Sequence, residues 1–192
     1  MSPRTKAQNE AIREQARKQI IEAAFELFAN EGYGKTSIAA VAQKAAVSKG
    51  LIYHYFGSKQ EILEAILEQL VALGEEMTSF PDNFTAQDKI RQILEQTFIF
   101  IQHKSGIGKL MVSLALQRDA FETLKPKLDT IQKEQMKMFS GIMEELGFEQ
   151  PMLEAYELGA TLDGILLAWV SMGSDYPLEE MKQKLLDEYA LR

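Results

Sequence analysis

The chain contains no cysteine, which excludes disulfide frameworks, thiolate metal sites and cysteine nucleophiles. Two histidines, His54 and His103, are scant material for a histidine metal site, and neither a metal nor a cofactor is expected. No apolar run can span a bilayer; the longest clean one is ILLAWV at 165–170. The N-terminal stretch MSPRTKAQNEAIREQARK is polar and charged, unlike a secretory signal. Sustained alternation of apolar and polar residues is missing too, so no sheet is expected. The 192 residues, 46% of them hydrophobic, suffice for one large domain or two small ones and argue against wholesale disorder. The expectation is a soluble, cytoplasmic protein without a membrane partner.

The formal net charge of −7 argues at first against nucleic acid, but its distribution matters more than its sum. Residues 1–60 hold nine Lys/Arg against five acids, net +4. The remainder holds twelve against twenty-three, net −11. A basic head on an acidic body can dock on a polyanion while the body stays soluble.

The helical period dominates. Ile21, Ala24, Phe25 and Phe28 mark a first long helix that stops at Asn30–Gly34. Ile38, Val41, Ala42 and Ala45 mark a short second helix, with Thr36 or Ser37 placed to cap it. A third short helix follows Ser48 and ends near Phe56-Gly57. Ser58 and Glu61 fit a capping box at the start of a long fourth helix. Ser79–Asn83 reads as a loop, 85–104 as a helix, Ser105–Gly108 as a turn and 109–118 as helical. Pro126 is expected in the first turn of a helix reaching Leu146. Breaks at Gly147–Pro151 and Gly173–Pro177 leave helices at about 152–172 and 178–190. The expected fold is all-α, with about nine helices.

Residues 36–56, TSIAAVAQKAAVSKGLIYHYF, read as two short helices joined by a tight turn. On a wheel of 100° per residue, Leu51, Ile52 and Tyr55 fall on one side of the second helix. Lys49, Gly50, Tyr53 and His54 fall on the other. A cation, a bare backbone, a phenol and an imidazole suit a major groove: lysine donates to guanine edges or phosphate, glycine admits close approach, and tyrosine and histidine donate to phosphate oxygens. This is a helix-turn-helix arrangement. An αα-hairpin with a solvated polar face has the same spacing.

The stretch IIEAAFELFANEGYGKTSIAAVAQKAAVSKGLIYHYFGSKQEIL, within about Arg13 to Leu63, resembles the N-terminal domain of the TetR family of bacterial transcriptional regulators. The family pattern runs AA..LF...G...T, then IA..A, then VS.G..Y.YF..K..L. The resemblance covers about a quarter of the chain. It implies a DNA-binding head at residues 1–58 and a helical ligand-binding and dimerisation body at 59–192. It implies that Thr36 and Ser37 cap the second helix and touch a phosphate. Ser48, Lys49 and Gly50 would lie at the groove, with Lys49 at a base; Tyr53 and His54 would meet backbone phosphates, or His54 a base. Lys59 would clamp another phosphate, and Arg4 and Lys6 would form either a minor-groove arm or a solvated tail. One position departs from the pattern: the turn glycine is Ala46, which is strained if its φ is positive.

For the body, the resemblance implies a dimer interface built from the last two helices. Its candidates are Leu158, Leu162, Ile165, Leu166 and Trp169, then Met181, Leu185 and Tyr189. Gly159, Ala160 and Gly164 would let helices approach closely. Asp163, a carboxylate in an apolar helix, needs a partner, at the interface or on a neighbouring backbone. Candidate pocket residues are Phe98, Ile101, Met111, Met136, Phe139, Met143 and Tyr156, although the same stripe serves a plain core. His103 reads as a surface residue near a helix end.

The leading functional expectation is a homodimeric repressor on a palindromic operator in double-stranded DNA, released by a small apolar or amphipathic effector. The alternative is a DNA-binding dimer without small-molecule control that acts through protein contacts. A helical enzyme has little support without cysteine or a clustered catalytic motif. A helical interaction module that ignores DNA would lack steep salt dependence.

Overall fold

The computed structural model describes residues 6–103, 105–115 and 118–191. Among them are nine α-helices and no strand. In order these are α1 (Lys6–Glu31), α2 (Ile38–Lys44), α3 (Lys49–Tyr55), α4 (Lys59–Met77), α5 (Ala86–His103), α6 (Ser105–Ala115), α7 (Arg118–Glu145), α8 (Pro151–Met172) and α9 (Leu178–Leu185). A 3-10 turn, Gly173–Asp175, follows α8, and a π turn, Leu186–Ala190, follows α9. The all-helical expectation holds. No helix among the described residues is long and apolar enough to cross a membrane.

The chain divides into two compact units. A head contains Met1–Leu70 with Leu110–Thr123, and a body contains Val71–Lys109 with Leu124–Arg192. The division falls inside α4, whose buried residues, from Ile62 to Leu67, all lie on the head's side. The boundary expected at residue 58 stands ahead of this helix.

In the head, α1 buries Ile20, Ile21, Ala24 and Phe28, while Phe25 is only half-buried. Val41 and Ala42 of α2 and Ile52 of α3 are buried too. Serines start the helices. Ser37 Oγ accepts from the Ala40 amide, Ser48 Oγ from that of Leu51 and Ser58 Oγ from that of Glu61, each at 3.1 Å. Glu61 completes a capping box by accepting from the Gly57 amide at 2.8 Å.

The α2–α3 turn is a Schellman motif. The Val47 amide donates to the Ala42 carbonyl at 3.0 Å and the Ala46 amide to that of Gln43 at 3.2 Å. This geometry puts Ala46 at φ 54, the one non-glycine residue with positive φ among those described. The same motif ends α7 with Gly147 at φ 82. Ala46→Gly is therefore expected to raise the head's stability by up to about 1 kcal/mol, read as an upward shift of a few degrees in Tm. An unchanged or lower Tm would show that the turn carries no strain.

The body's core joins Ile90, Leu94, Phe98 and Ile101 of α5 to Met143 of α7, Leu158 and Ile165 of α8, and Leu185 and Tyr189 near the C-terminus. Two local expectations are corrected here. Residues 105–108 form the first turn of α6 rather than a loop. A Cβ at Gly108 would stand 2.9 Å from Leu166 Cδ1 and 3.0 Å from Val170 Cγ2, so this glycine serves a close helix approach and not a bend. Pro126 does not open α7; the helix begins at Arg118 and carries the proline inside it. A proline there forgoes its own amide hydrogen bond and crowds the carbonyl four residues back, a cost of about 3 kcal/mol that the rest of a 28-residue helix can absorb.

Helix α8 is apolar on two sides. Ala155, Leu158, Leu162, Ile165, Leu166 and Trp169 fall within an arc of about 100° and meet the core. Met152, Leu153, Tyr156, Ala160, Asp163 and Leu167 fall within a second arc of about 100° on the other side and are exposed.

A candidate nucleic-acid interface

The head gathers a polar face from the starts of α2 and α3. Ser37, Ser48, Lys49, Gly50, Tyr53 and His54 are all exposed, and Tyr53 is 58% accessible. Ile52 and Phe56 anchor the opposite side of α3 in the core, at 0% and 4% accessible, while Leu51 and Tyr55 are half-buried. The wheel separation read from the sequence is thus the one the structure has. Arg17 lies 5.4 Å over the Phe56 ring and steadies the end of α3 from α1.

The chemistry of this face suits phosphate. Ser37 and Ser48 use their oxygens as caps and keep their hydroxyl hydrogens to donate. No carboxylate pairs with Lys49 among the described residues. Gly50 leaves bare backbone at the first turn of α3, where helix amides and the dipole favour an anion. His54 sits edge-on to Tyr55, with centroids 5.2 Å apart. Lys35 stands exposed beside this cluster, also without a carboxylate partner, and was missed at the sequence level because it belongs to no motif.

Two expected DNA contacts lie elsewhere. Thr36 is 2% accessible and its hydroxyl donates to the Gly32 carbonyl at 2.9 Å, so Ser37 alone caps α2 and Thr36 faces inward. Lys59 is not a free phosphate clamp. Its Nζ donates to the carbonyls of Tyr33 at 2.7 Å and Thr36 at 2.9 Å, and lies 4.4 Å over the Tyr33 ring. Burial holds this ammonium below the usual lysine range, and burial with the charge of Glu64 lifts the Tyr33 phenol above its own. The ammonium ties the α1–α2 turn to the start of α4. Lys59→Met removes two charge-assisted bonds and should cost the head about 1–3 kcal/mol, several degrees in Tm. The slope of log affinity for DNA against log salt should stay unchanged. A slope reduced by about one at constant Tm would restore the phosphate role.

Arg4 lies outside the described residues, and so does the side chain of Lys6, the residue that opens α1.

The body redistributes the other candidates. Leu158, Ile165, Leu185 and Tyr189 are buried in the chain's own core, and Leu162, Leu166, Trp169 and Met181 pack against it. The four buried side chains are occupied in the chain's own core, and the four partly buried ones keep some exposed surface. Tyr189 donates to Glu154 Oε1 at 2.9 Å, and burial together with that carboxylate pushes its phenol well above the usual range. On α8 the exposed large apolar residues are Met152, Leu153, Tyr156, Leu167 and Met172. Asp163 stands among them with no hydrogen-bond or ionic partner in the described residues, and partial desolvation raises its carboxyl.

The expected pocket residues do not share one cavity. Ile101 and Met143 are core, and Phe139 packs on it. Phe98 lines an open cleft between α5 and α9, whereas Met136 and Tyr156 line a smaller groove of about 290 Å³ between α7 and α8. The side chain of Met111 lies outside the described residues. His103 is exposed at the end of α5.

A three-helix head that buries one side of α3 and offers the other to phosphate defines a helix-turn-helix protein of the DNA-binding class. A family model described as bacterial regulatory proteins, tetR family, matches residues 20–66. Over those residues the chain is similar to this family of regulators. It is 26% identical over 179 residues to the fatty acid metabolism regulator protein of Bacillus subtilis (strain 168), which covers 88% of this chain and 91% of that protein. Its fold matches the transcriptional regulator FadR from Bacillus subtilis in complex with stearoyl-CoA, with TM-score 0.71, 24% identity and 90% and 97% of the two chains covered. It also matches a regulator from Saccharomonospora viridis in complex with choline, with TM-score 0.75, 17% identity and 93% and 97% covered. These relatives are regulators, in line with the reading of the sequence as a non-enzyme.

Proposed function

We propose that the chain is a homodimeric repressor that holds a palindromic operator through α3 and leaves it when a small apolar or amphipathic effector binds the body. The observation that carries DNA binding is the exposed set Ser48, Lys49, Gly50, Tyr53 and His54, fixed by the buried Ile52 behind it. Lys49 is the candidate for base contact; Ser37, Tyr53 and His54 serve the backbone. Dimerisation is supported by the exposed face of α8, which buries its apolar side chains only against another surface. Effector control is supported by the similar regulators solved with stearoyl-CoA and with choline. The effector acts by favouring the dimer state whose recognition helices no longer match two half-sites, so ligand and DNA oppose one another reciprocally. The cytoplasm is the compartment where such a protein meets its DNA.

Selection of bound duplexes from a random pool tests this reading. An enriched palindrome whose affinity falls steeply between two salt concentrations is the expected result. A folded dimer that enriches no sequence would overturn it.

A further inference from the structure

The body carries an open cleft of about 910 Å³ whose walls come from α5, the end of α8, the 3-10 turn and the first turns of α9. Trp169 gives it aromatic surface, Tyr176 adds a phenol, and Phe98, 3% accessible, lies beneath them. Around them the lining holds four carboxylates, Glu95, Asp175, Glu179 and Glu180, against two cations. Both cations are engaged. Lys182 pairs with Glu179 at 2.5 Å, and Arg91 donates to the Ala190 carbonyl at 3.3 Å. Glu95, Asp175 and Glu180 have no ionic partner among the described residues. No three acidic or histidine side chains converge closely enough among those residues to hold a metal ion. The charge is therefore spread around an aromatic surface rather than focused on a point.

We propose that this cleft binds an organic cation, an alkylammonium with an apolar body. Diffuse negative charge attracts it, an indole face attracts an ammonium through its quadrupole, and the apolar part displaces water from exposed Ile99. The volume is in the range of small-molecule sites. The assignment narrows the effector class of the proposed repressor, and its link to operator release rests on that reading. Binding itself does not, and the test reads binding alone.

The protein has one tryptophan, Trp169, so its emission reports the cleft directly. Titration with hexyltrimethylammonium chloride should give a saturable change in that emission, with one site per chain by calorimetry. Hexanol and sodium hexanoate, matched in length, should bind at least about tenfold more weakly. Glu95→Gln with Asp175→Asn should weaken the cation by about tenfold at unchanged Tm. Should that pair fail to fold, Glu180→Gln on exposed surface must show a weakening of a few-fold. Equal binding of the alcohol or the carboxylate, no saturation with the cation, or carboxamide variants of full affinity would each overturn the proposal.

Discussion

Tyr156→Glu with Leu167→Glu will leave a folded monomer. Both side chains are about half accessible in the single chain, 52% and 50%, so their replacement removes little from the chain's own core. In a dimer closed across α8 each is buried, and two copies of each are lost. Full burial is worth about 1.5–3 kcal/mol per side chain, and about half of each is left to bury, so the interface weakens by roughly 3–6 kcal/mol before the cost of burying the new charges is added. That is about two to four orders of magnitude in Kd. Sedimentation should show one chain per particle, circular dichroism an unchanged helical signal, and operator binding a loss of at least about a hundredfold once the second head is gone. A variant still dimeric at micromolar concentration would remove α8 as the interface. Truncation at residue 152 is a poorer test, because it also deletes Leu158, Ile165, Leu185 and Tyr189 from the core.

The second large effect belongs to the recognition face. Lys49→Ala should weaken operator binding by about 1–3 kcal/mol in each half-site and relax preference at the base it reads. Tyr53→Phe, which removes one donor and keeps the ring, should cost less and act alike on all sequences. Neither should shift Tm, since both side chains are exposed. Fluorescence anisotropy at two salt concentrations separates the two roles. Full affinity in both variants at matched salt would mean that another surface meets the DNA.

Much of the head was legible in the sequence because its signals are local. A cap lies three residues from the amide it serves, and Ser37, Ser48 and Ser58 each serve theirs. The positive φ of Ala46 follows from a turn motif six residues long. The two sides of α3 follow from helical period alone. What was misread depended on long-range partners. Lys59 looks like a free cation until the fold brings the carbonyls of Tyr33 and Thr36, more than twenty residues away, onto it. Gly106 and Gly108 look like a turn until Leu166 and Val170 arrive against the second of them. In the body the obstacle was α8 itself. A helix apolar on two sides gives little period to tell its core arc from its exposed arc, so Leu158 and Ile165, expected at a dimer interface, lie in the chain's own core.

The Lys59 tie also bears on protein engineering. Chimeric regulators are made by joining one protein's DNA-reading head to another's sensing body. In this chain a junction at residue 58 would discard the ammonium that braces the α1–α2 turn and strip Ile62, Leu63 and Ile66 from the transplanted unit. A junction after Leu70 transfers the brace and the buried half of α4 together, and the head's second segment, Leu110–Thr123, has to be carried over with them.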